Sequence, residues 1–397
     1  MAAIAAAEQG ARVLLLDQMP RPGLKLLASG GGRANVTRLA DADTFYAAFG
    51  RSGRFIGPAL SLLDPSGLRR FLADIGVPTV VDEAQRVYPA SQRAADVQAA
   101  LAHRLADLGV GVRLDARVRR LGLEADRCTG VETASGECLA ADRVVLACGG
   151  RSWPQLGGTG GGYDLARQAG HTVIDPVPAL VPLVTQEDWP ARLSGVALAG
   201  ARVWIDLPRR RKAGVTGDVL FTHRGVSGPA VLDLSGTVAR ELAKGGPVPV
   251  AVGVVASMDA AAWADRLRAW RTTDGRKHVA TLLARHVPAS VGRLVCERAG
   301  VDPRTPAGQL ARAGCRALAD GLGRLTLTAT ATEGFDVAFV TGGGVSLKEV
   351  DPHTLGSRRA PGLYLAGEML DLDGPTGGFN LQWAFASGRL AGRAAVA

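Results

Sequence analysis

Apolar and polar positions follow three different rhythms along this chain, and each rhythm predicts an element. The first is a short unbroken apolar run that stops at an acid or a glycine. It occurs at residues 12–17 (RVLLLD), 142–150 (DRVVLACGG) and 363–367 (LYLAG). Runs this short and this apolar read as parallel strands buried on both faces. The second is helical spacing, as at Ala95, Val97, Leu101, Leu105 and Leu108 within residues 92–109. Residues 2–9 also read as helix, because alanine is the best helix former, and Gly10 comes next as a C-terminal cap. The third is short alternation broken by prolines, from residue 176 to about 255, which predicts antiparallel strands. Residues 258–320, rich in Ala, Leu and Arg, read as helices again, and residues 325–330 (LTLTAT) resume strand. Residues 110–114, 117–121, 128–133 and 137–139 predict a small antiparallel meander.

The chemistry sits in the turns that leave the apolar runs. Residues 153–163 (WPQLGGTGGGY) open a helix over 164–169, and residues 374–388 (GPTGGFNLQWAFASG) open one near Asn380. Strand, glycine turn, helix leaves free N–H groups and a positive dipole end at the turn. Such a site suits a phosphate, or the pyrimidine edge of a flavin that becomes anionic on reduction. Residues 29–33 (SGGGR), just after the first acidic strand end, form a further glycine loop. Three glycines in a row permit unusual dihedrals and close ligand approach, although alone they also fit a flexible turn. Lys25 and Arg33 are placed to neutralise a pyrophosphate.

The N-terminal half of this pattern is cut short. Residues 2–17 match the helix and second strand of a dinucleotide-binding βαβ unit, in which an acid, here Asp17, binds a ribose hydroxyl. The G-x-G-x-x-G turn belongs about 20 residues earlier, before Met1. The expectation is a start assigned too far downstream or an imposed cut, with an ordinary Ala-rich terminal helix as the alternative. On that expectation, a chain longer by about 15 residues, one strand and its turn, holds its cofactor more tightly.

Composition narrows the picture. At 397 residues the chain is long for one core, which predicts two domains. The expected boundaries are a discontinuous cofactor domain over 1–175 and 323–397, and an insertion over 176–322, β-rich to 257 and helical from 258. The 52 glycines are about twice the usual share and fall in blocks, which favours cofactor loops over a linker. The five cysteines form no C-x-x-C pair, which disfavours a disulfide framework, a zinc site or a dithiol centre. No metal is expected, and the reading is a cytoplasmic protein without a membrane span. Net charge is +9, and the densest basic run is Arg209-Arg210-Arg211-Lys212. It reads as a solvated hairpin tip rather than a nucleic-acid surface, since no aromatic residues interleave with it.

Together these blocks resemble the HI0933-like flavoproteins, related to the fumarate-reductase-like FAD enzymes. The matching stretches are residues 23–37, 147–163, 220–229, 341–345 and 363–388. The resemblance implies an α/β fold: a Rossmann-like FAD-binding domain, its first strand and glycine turn missing, with an inserted β-barrel plus helical domain. Ala34 stands where many relatives have cysteine, and Gly161 where an acid or serine is common. Within that family, Asp17 is expected to hold the adenosine ribose. Lys25, Gly30, Gly31, Gly32 and Arg33 are expected around the pyrophosphate or ring. Gly149, Gly150, Gly158, Thr159 and Gly160 are expected along the middle of the cofactor. Gly367 is expected among the cofactor-binding residues, Glu368 at the ribityl or pyrophosphate region, and Gly377, Gly378, Phe379, Asn380 and Leu381 should place N–H groups near the flavin's anionic edge.

His223, in residues 222–229 (THRGVSGP), is the one candidate for proton transfer, because histidine titrates near neutrality. A purely bracing role is the equal alternative. The expected function is an FAD-dependent oxidoreductase of an unidentified small organic substrate, with NAD(P)H and O₂ as open electron partners. The alternative is a non-catalytic flavin- or nucleotide-binding module with a basic surface. No nucleic-acid partner is expected, and the oligomeric state is open.

Overall fold

A computed structural model describes residues 1–208 and 213–397 of the chain. The basic run Arg209 to Lys212 therefore lies outside the described residues. The chain forms two compact units. One joins Met1–Pro178 with Ala338–Ala397, and the other is Ala179–Val337.

The discontinuous unit is built on short parallel strands. Leu14–Leu16 pairs with Gly111–Arg113, and Leu363–Leu365 pairs with Val144–Leu146. No hydrogen-bonded strand joins the two pairs among the described residues. Leu14, Val112 and Leu114 on the first pair stay about 40% exposed, unusual for large apolar side chains on a parallel sheet. Val118–Glu124, Arg127–Thr133 and Cys138–Ala140 form a three-stranded antiparallel sheet. The sequence pattern places residues 110–114 in that meander; they instead pair in parallel with the first strand. Alternation alone does not reveal a strand's partner.

Helices pack around these strands for local reasons. Asp64 caps Pro65–Asp74 by accepting from Gly67 N–H at 2.6 Å, with proline in the first turn. Ala94–Asp107 buries Ala94, Val97 and Leu105. The N-terminal helix Ala2–Ala7 lies against the C-terminal helix Phe379–Ala394 at very short range. A Cβ on Gly392 would sit 2.2 Å from the Ala2 carbonyl oxygen, so only glycine fits.

The second unit is a closed six-stranded barrel. Its order is Leu183–Thr185, Gly225–Ser227, Val215–Phe221, Ala197–Ile205, Val248–Gly253, Leu325–Thr332, and back to the first. Val203, Ile205, Val219, Phe221, Val250, Val252 and Leu327 are buried in its core. Helices Pro229–Leu242, Ala260–Thr273, Ala289–Arg298 and Arg312–Gly323 complete the unit. The sequence pattern ends the insertion near residue 322; the unit runs on to Val337, because Leu325–Thr332 is the strand that closes the barrel.

Among the described residues, no helix is long and apolar enough to cross a membrane. No group of His, Cys, Asp and Glu among them is arranged to hold a metal ion. All five cysteines are free.

Candidate cofactor site

In the discontinuous unit, the glycine-rich loops are tied together through the carboxyl ends of the parallel strands. Leu14–Leu16 delivers Asp17, whose carboxylate accepts from Met19 N–H at 2.9 Å; burial raises its pKa and that hydrogen bond opposes the rise. The next residue, Gln18, donates to Gly157 O at 2.8 Å and to Thr159 Oγ1 at 3.3 Å. The first strand end is thereby fastened to the loop before helix Gly161–Gln168.

Residues 29–32 turn through left-handed backbone at Gly30, Gly31 and Gly32. Gly31 (φ +66°), Gly149 (φ +72°) and Gly367 (φ +73°) share one property. A Cβ on any of them would meet no atom within 4 Å. Glycine is required there by backbone angle, and the space beside it is open. Other glycines are required by contact. A Cβ on Gly150 would lie 2.3 Å from Thr341 Oγ1, and one on Gly158 2.0 Å from Ser152 O. Beyond Val144–Leu146, Ala147 and Cys148 are exposed. Surrounding protein desolvates the Cys148 thiol and pushes its pKa up to about 11.

Glu368 organises the loops. One carboxylate oxygen pairs with Lys25 Nζ. The other accepts from Ser152 Oγ at 2.9 Å and Thr341 N–H at 2.7 Å. Lys25 also reaches Ser152 Oγ at 3.1 Å, and Thr341 Oγ1 accepts from the N–H groups of Arg151 (2.8 Å) and Ser152 (3.1 Å). Ser152 and Thr341 are fully buried. Lys25 and Glu368 thus spend their charges on each other and on the protein. Arg33 lies over the Tyr88 ring at 4.7 Å and donates to Gly30 O at 3.3 Å.

The last turn is held from below. Asn380 accepts from Gly374 N–H and donates to Gly374 O, both at 2.8 Å. Asn35, with its amide oxygen toward Gly378, accepts that N–H at 3.1 Å and donates to Thr37 O at 2.8 Å. Gly377 and Gly378 have φ of +104° and +100°, and a Cβ on Gly378 would lie 2.5 Å from the Thr37 carbonyl. Phe379 turns its ring inward, edge-on to Phe45 at 5.0 Å. The first N–H groups of helix Phe379–Ala394, those of Phe379, Asn380 and Leu381, have no acceptor within the helix.

A flavin dinucleotide fits this donor set. Gly31, Gly149 and Gly367 leave the backbone open to close approach, Asp17 offers a ribose partner, and the C-terminal helix offers N–H donors. The Tyr163 hydroxyl is buried without a protein partner. His223 belongs to the other unit. It is exposed on the turn between Phe221 and Gly225, where Thr222 Oγ1 accepts from Gly225 N–H at 3.1 Å.

Sequence reasoning missed Ser152, Thr341 and Asn35. The glycines around them carried the visible signal. Single serine, threonine and asparagine residues become meaningful only once the loops are brought together.

Fold and site define a class: a Rossmann-type FAD-binding protein of oxidoreductase architecture. Residues 1–394 match the family described as HI0933-like protein Rossmann domain, and the chain belongs to that family. It is 37% identical to the 3-dehydro-bile acid delta(4,6)-reductase of Clostridium scindens, over all of this chain and 96% of that protein. It is 30% identical to the ribosomal RNA dihydrouridine synthase of Escherichia coli, over 96% of this chain and 91% of that one. Among solved structures, 3-ketosteroid delta1-dehydrogenase from Sterolibacterium denitrificans has a similar fold. The TM-score is 0.53 at 14% identity, over all of this chain and 96% of that one.

Proposed function

We propose that this chain is an FAD-dependent reductase of a carbon–carbon double bond conjugated to a carbonyl. The observation that carries the reading is the set of glycine turns that follow the parallel strands, tied together by Glu368, with the free N–H groups at the start of the C-terminal helix. The relatives' names supply the substrate class. A bile-acid Δ4,6 reduction and a uridine-to-dihydrouridine reduction both saturate a double bond in conjugation with a carbonyl.

Bound FAD would supply the hydride chemistry. Asp17, the residues 30–32 loop and the residues 149–160 loop would hold it, and the Lys25, Ser152, Thr341 and Glu368 knot would keep those loops in register. Saturating the conjugated bond would need, besides the hydride, a proton at the carbon next to the carbonyl. His223 is our candidate donor, because histidine is the side-chain type most often used for general acid–base work. NAD(P)H is the proposed donor.

The preferred substrate is a steroid-like dienone, in line with the higher identity to the bile-acid reductase. A second reading, uridine in ribosomal RNA, draws on the net charge of +9 and the second relative. The test is anaerobic. The purified protein should show flavin absorbance, bleach with NADPH or NADH, and recover its colour when a 4,6-dien-3-one is added. Recovery with a uridine-containing ribosomal RNA fragment, and gain of two hydrogens by that fragment in mass spectrometry, would favour the second reading. Absence of bound flavin after supplementation overturns both.

A further inference from the structure

We propose that Arg38 is the cation that stabilises negative charge on the reduced flavin ring, an assignment that rests on the FAD reading above. Four observations converge on its guanidinium. It lies over the Phe379 ring at 5.1 Å, so the first residue of the C-terminal helix holds it. Its Nη1 is 3.4 Å from the position a Cβ on Gly377 would take, beside the turn that leads into the helix N-terminus. Its Nη2 donates to Ala84 O at 3.3 Å. Its Nε is buried without a hydrogen-bond partner. No carboxylate salt bridge to Arg38 occurs among the described residues, in contrast to Lys25, which is neutralised by Glu368.

The consequence is electrostatic. Lys25 is spent within the knot of loops, and Arg33 lies over Tyr88 on the exposed side of its loop. Arg38 is the cation that adds a full positive charge to the partial one at the helix start. An arginine retains that charge at any working pH. A fixed charge there favours whichever form of the ring is anionic and contributes little to holding the neutral oxidised form.

The experiment compares the FAD-loaded wild-type protein with Arg38→Gln, Arg38→Met and Arg38→Lys. Sulfite addition to flavin bleaches the visible band and leaves a negative charge on the ring, so it reports this stabilisation without turnover. Expected are oxidised FAD retained in all forms and a sulfite Kd raised about tenfold in both neutral variants. A midpoint potential lowered by about 30 mV, a tenfold change for a two-electron couple, should accompany that rise. The lysine variant should fall between. Unchanged sulfite affinity and potential in the neutral variants overturn the proposal. Loss of oxidised FAD from both neutral variants overturns it too, because it shows Arg38 to be a structural brace of the turn. If the wild-type protein itself holds no flavin, the FAD reading fails first.

Discussion

At the scale of single residues, the polar groups buried in the cofactor unit decide its behaviour. Thr341 accepts two backbone N–H groups through one hydroxyl, in a fully buried position. Thr341→Val keeps the shape and leaves those donors unsatisfied, a cost of about 1–3 kcal/mol. We expect a lower Tm and a further loss of FAD retention, with Thr341→Ser largely restoring both; equal flavin content in the valine variant would contradict the role given to the knot. A second buried cluster sets a pH response. His171 Nε2 lies 2.7 Å from Ser357 Oγ, and Nδ1 lies 3.5 Å from Glu349. Burial lowers the His171 pKa, and Glu349 only partly offsets this. Burial works to raise Glu349, but Arg359 and the Thr172 N–H and hydroxyl outweigh it and hold the carboxyl at about 2. Both groups bind fewer protons folded than unfolded, so stability rises with pH across each window. Tm should therefore fall as pH drops below about 6.5 and fall further below about 4.5, the ordinary values for histidine and glutamate. His171→Gln should flatten the upper part of that fall and leave the lower part.

At the scale of elements, two kinds of glycine make different predictions. Gly149 is left-handed with open space beside it, so Gly149→Ala strains the backbone by roughly 1–2 kcal/mol and puts a methyl group where the cofactor would lie. Gly378 is left-handed with the Thr37 carbonyl against it, so Gly378→Ala displaces the start of the C-terminal helix. Thermal melts with and without FAD separate them. Gly149→Ala should lose most of the stabilisation that added FAD gives, with a modest change in the FAD-free Tm. Gly378→Ala should lower both melts. A Gly149→Ala protein stabilised by FAD as much as wild type would place the ligand elsewhere. The legibility of these elements in the sequence divides in the same way. Strands such as residues 363–365 and the glycine turns after them stand out because a buried parallel strand and left-handed backbone each demand a narrow set of residues. Partnership leaves no such mark. Residues 110–114 look the same whether they join a meander or, as here, a parallel pair, and residues 325–332 look the same in a cofactor sheet or a barrel wall. Thr341 and Ser152 are ordinary residues in sequence, and only the meeting of distant loops gives them a task.

At the scale of the whole molecule, the buried apolar residues fall into two separate clusters, one within each unit. The cluster of the inserted unit includes Trp263, Phe221, Leu183, Leu198, Ile205, Leu267, Leu282 and Leu283, all almost wholly buried. Its barrel is closed, so no strand edge is left to be completed by the rest of the chain. A domain of about 150 residues buries roughly 70% of its unfolded surface, enough for independent stability. The segment 179–337, produced alone, should therefore fold as a two-state unit. Urea denaturation monitored by far-ultraviolet circular dichroism and by tryptophan fluorescence should give coincident, cooperative transitions. The discontinuous unit is the contrasting case. Its parallel pairs are separate and expose Leu14, Val112 and Leu114, so it is expected to depend on bound FAD for much of its stability. In the whole chain, added FAD should then raise one melting transition and leave untouched a second, whose midpoint matches that of the isolated segment. Non-coincident or non-cooperative unfolding of the segment would show that its core is not self-sufficient, and a single FAD-sensitive transition in the whole chain would show that the two cores melt as one.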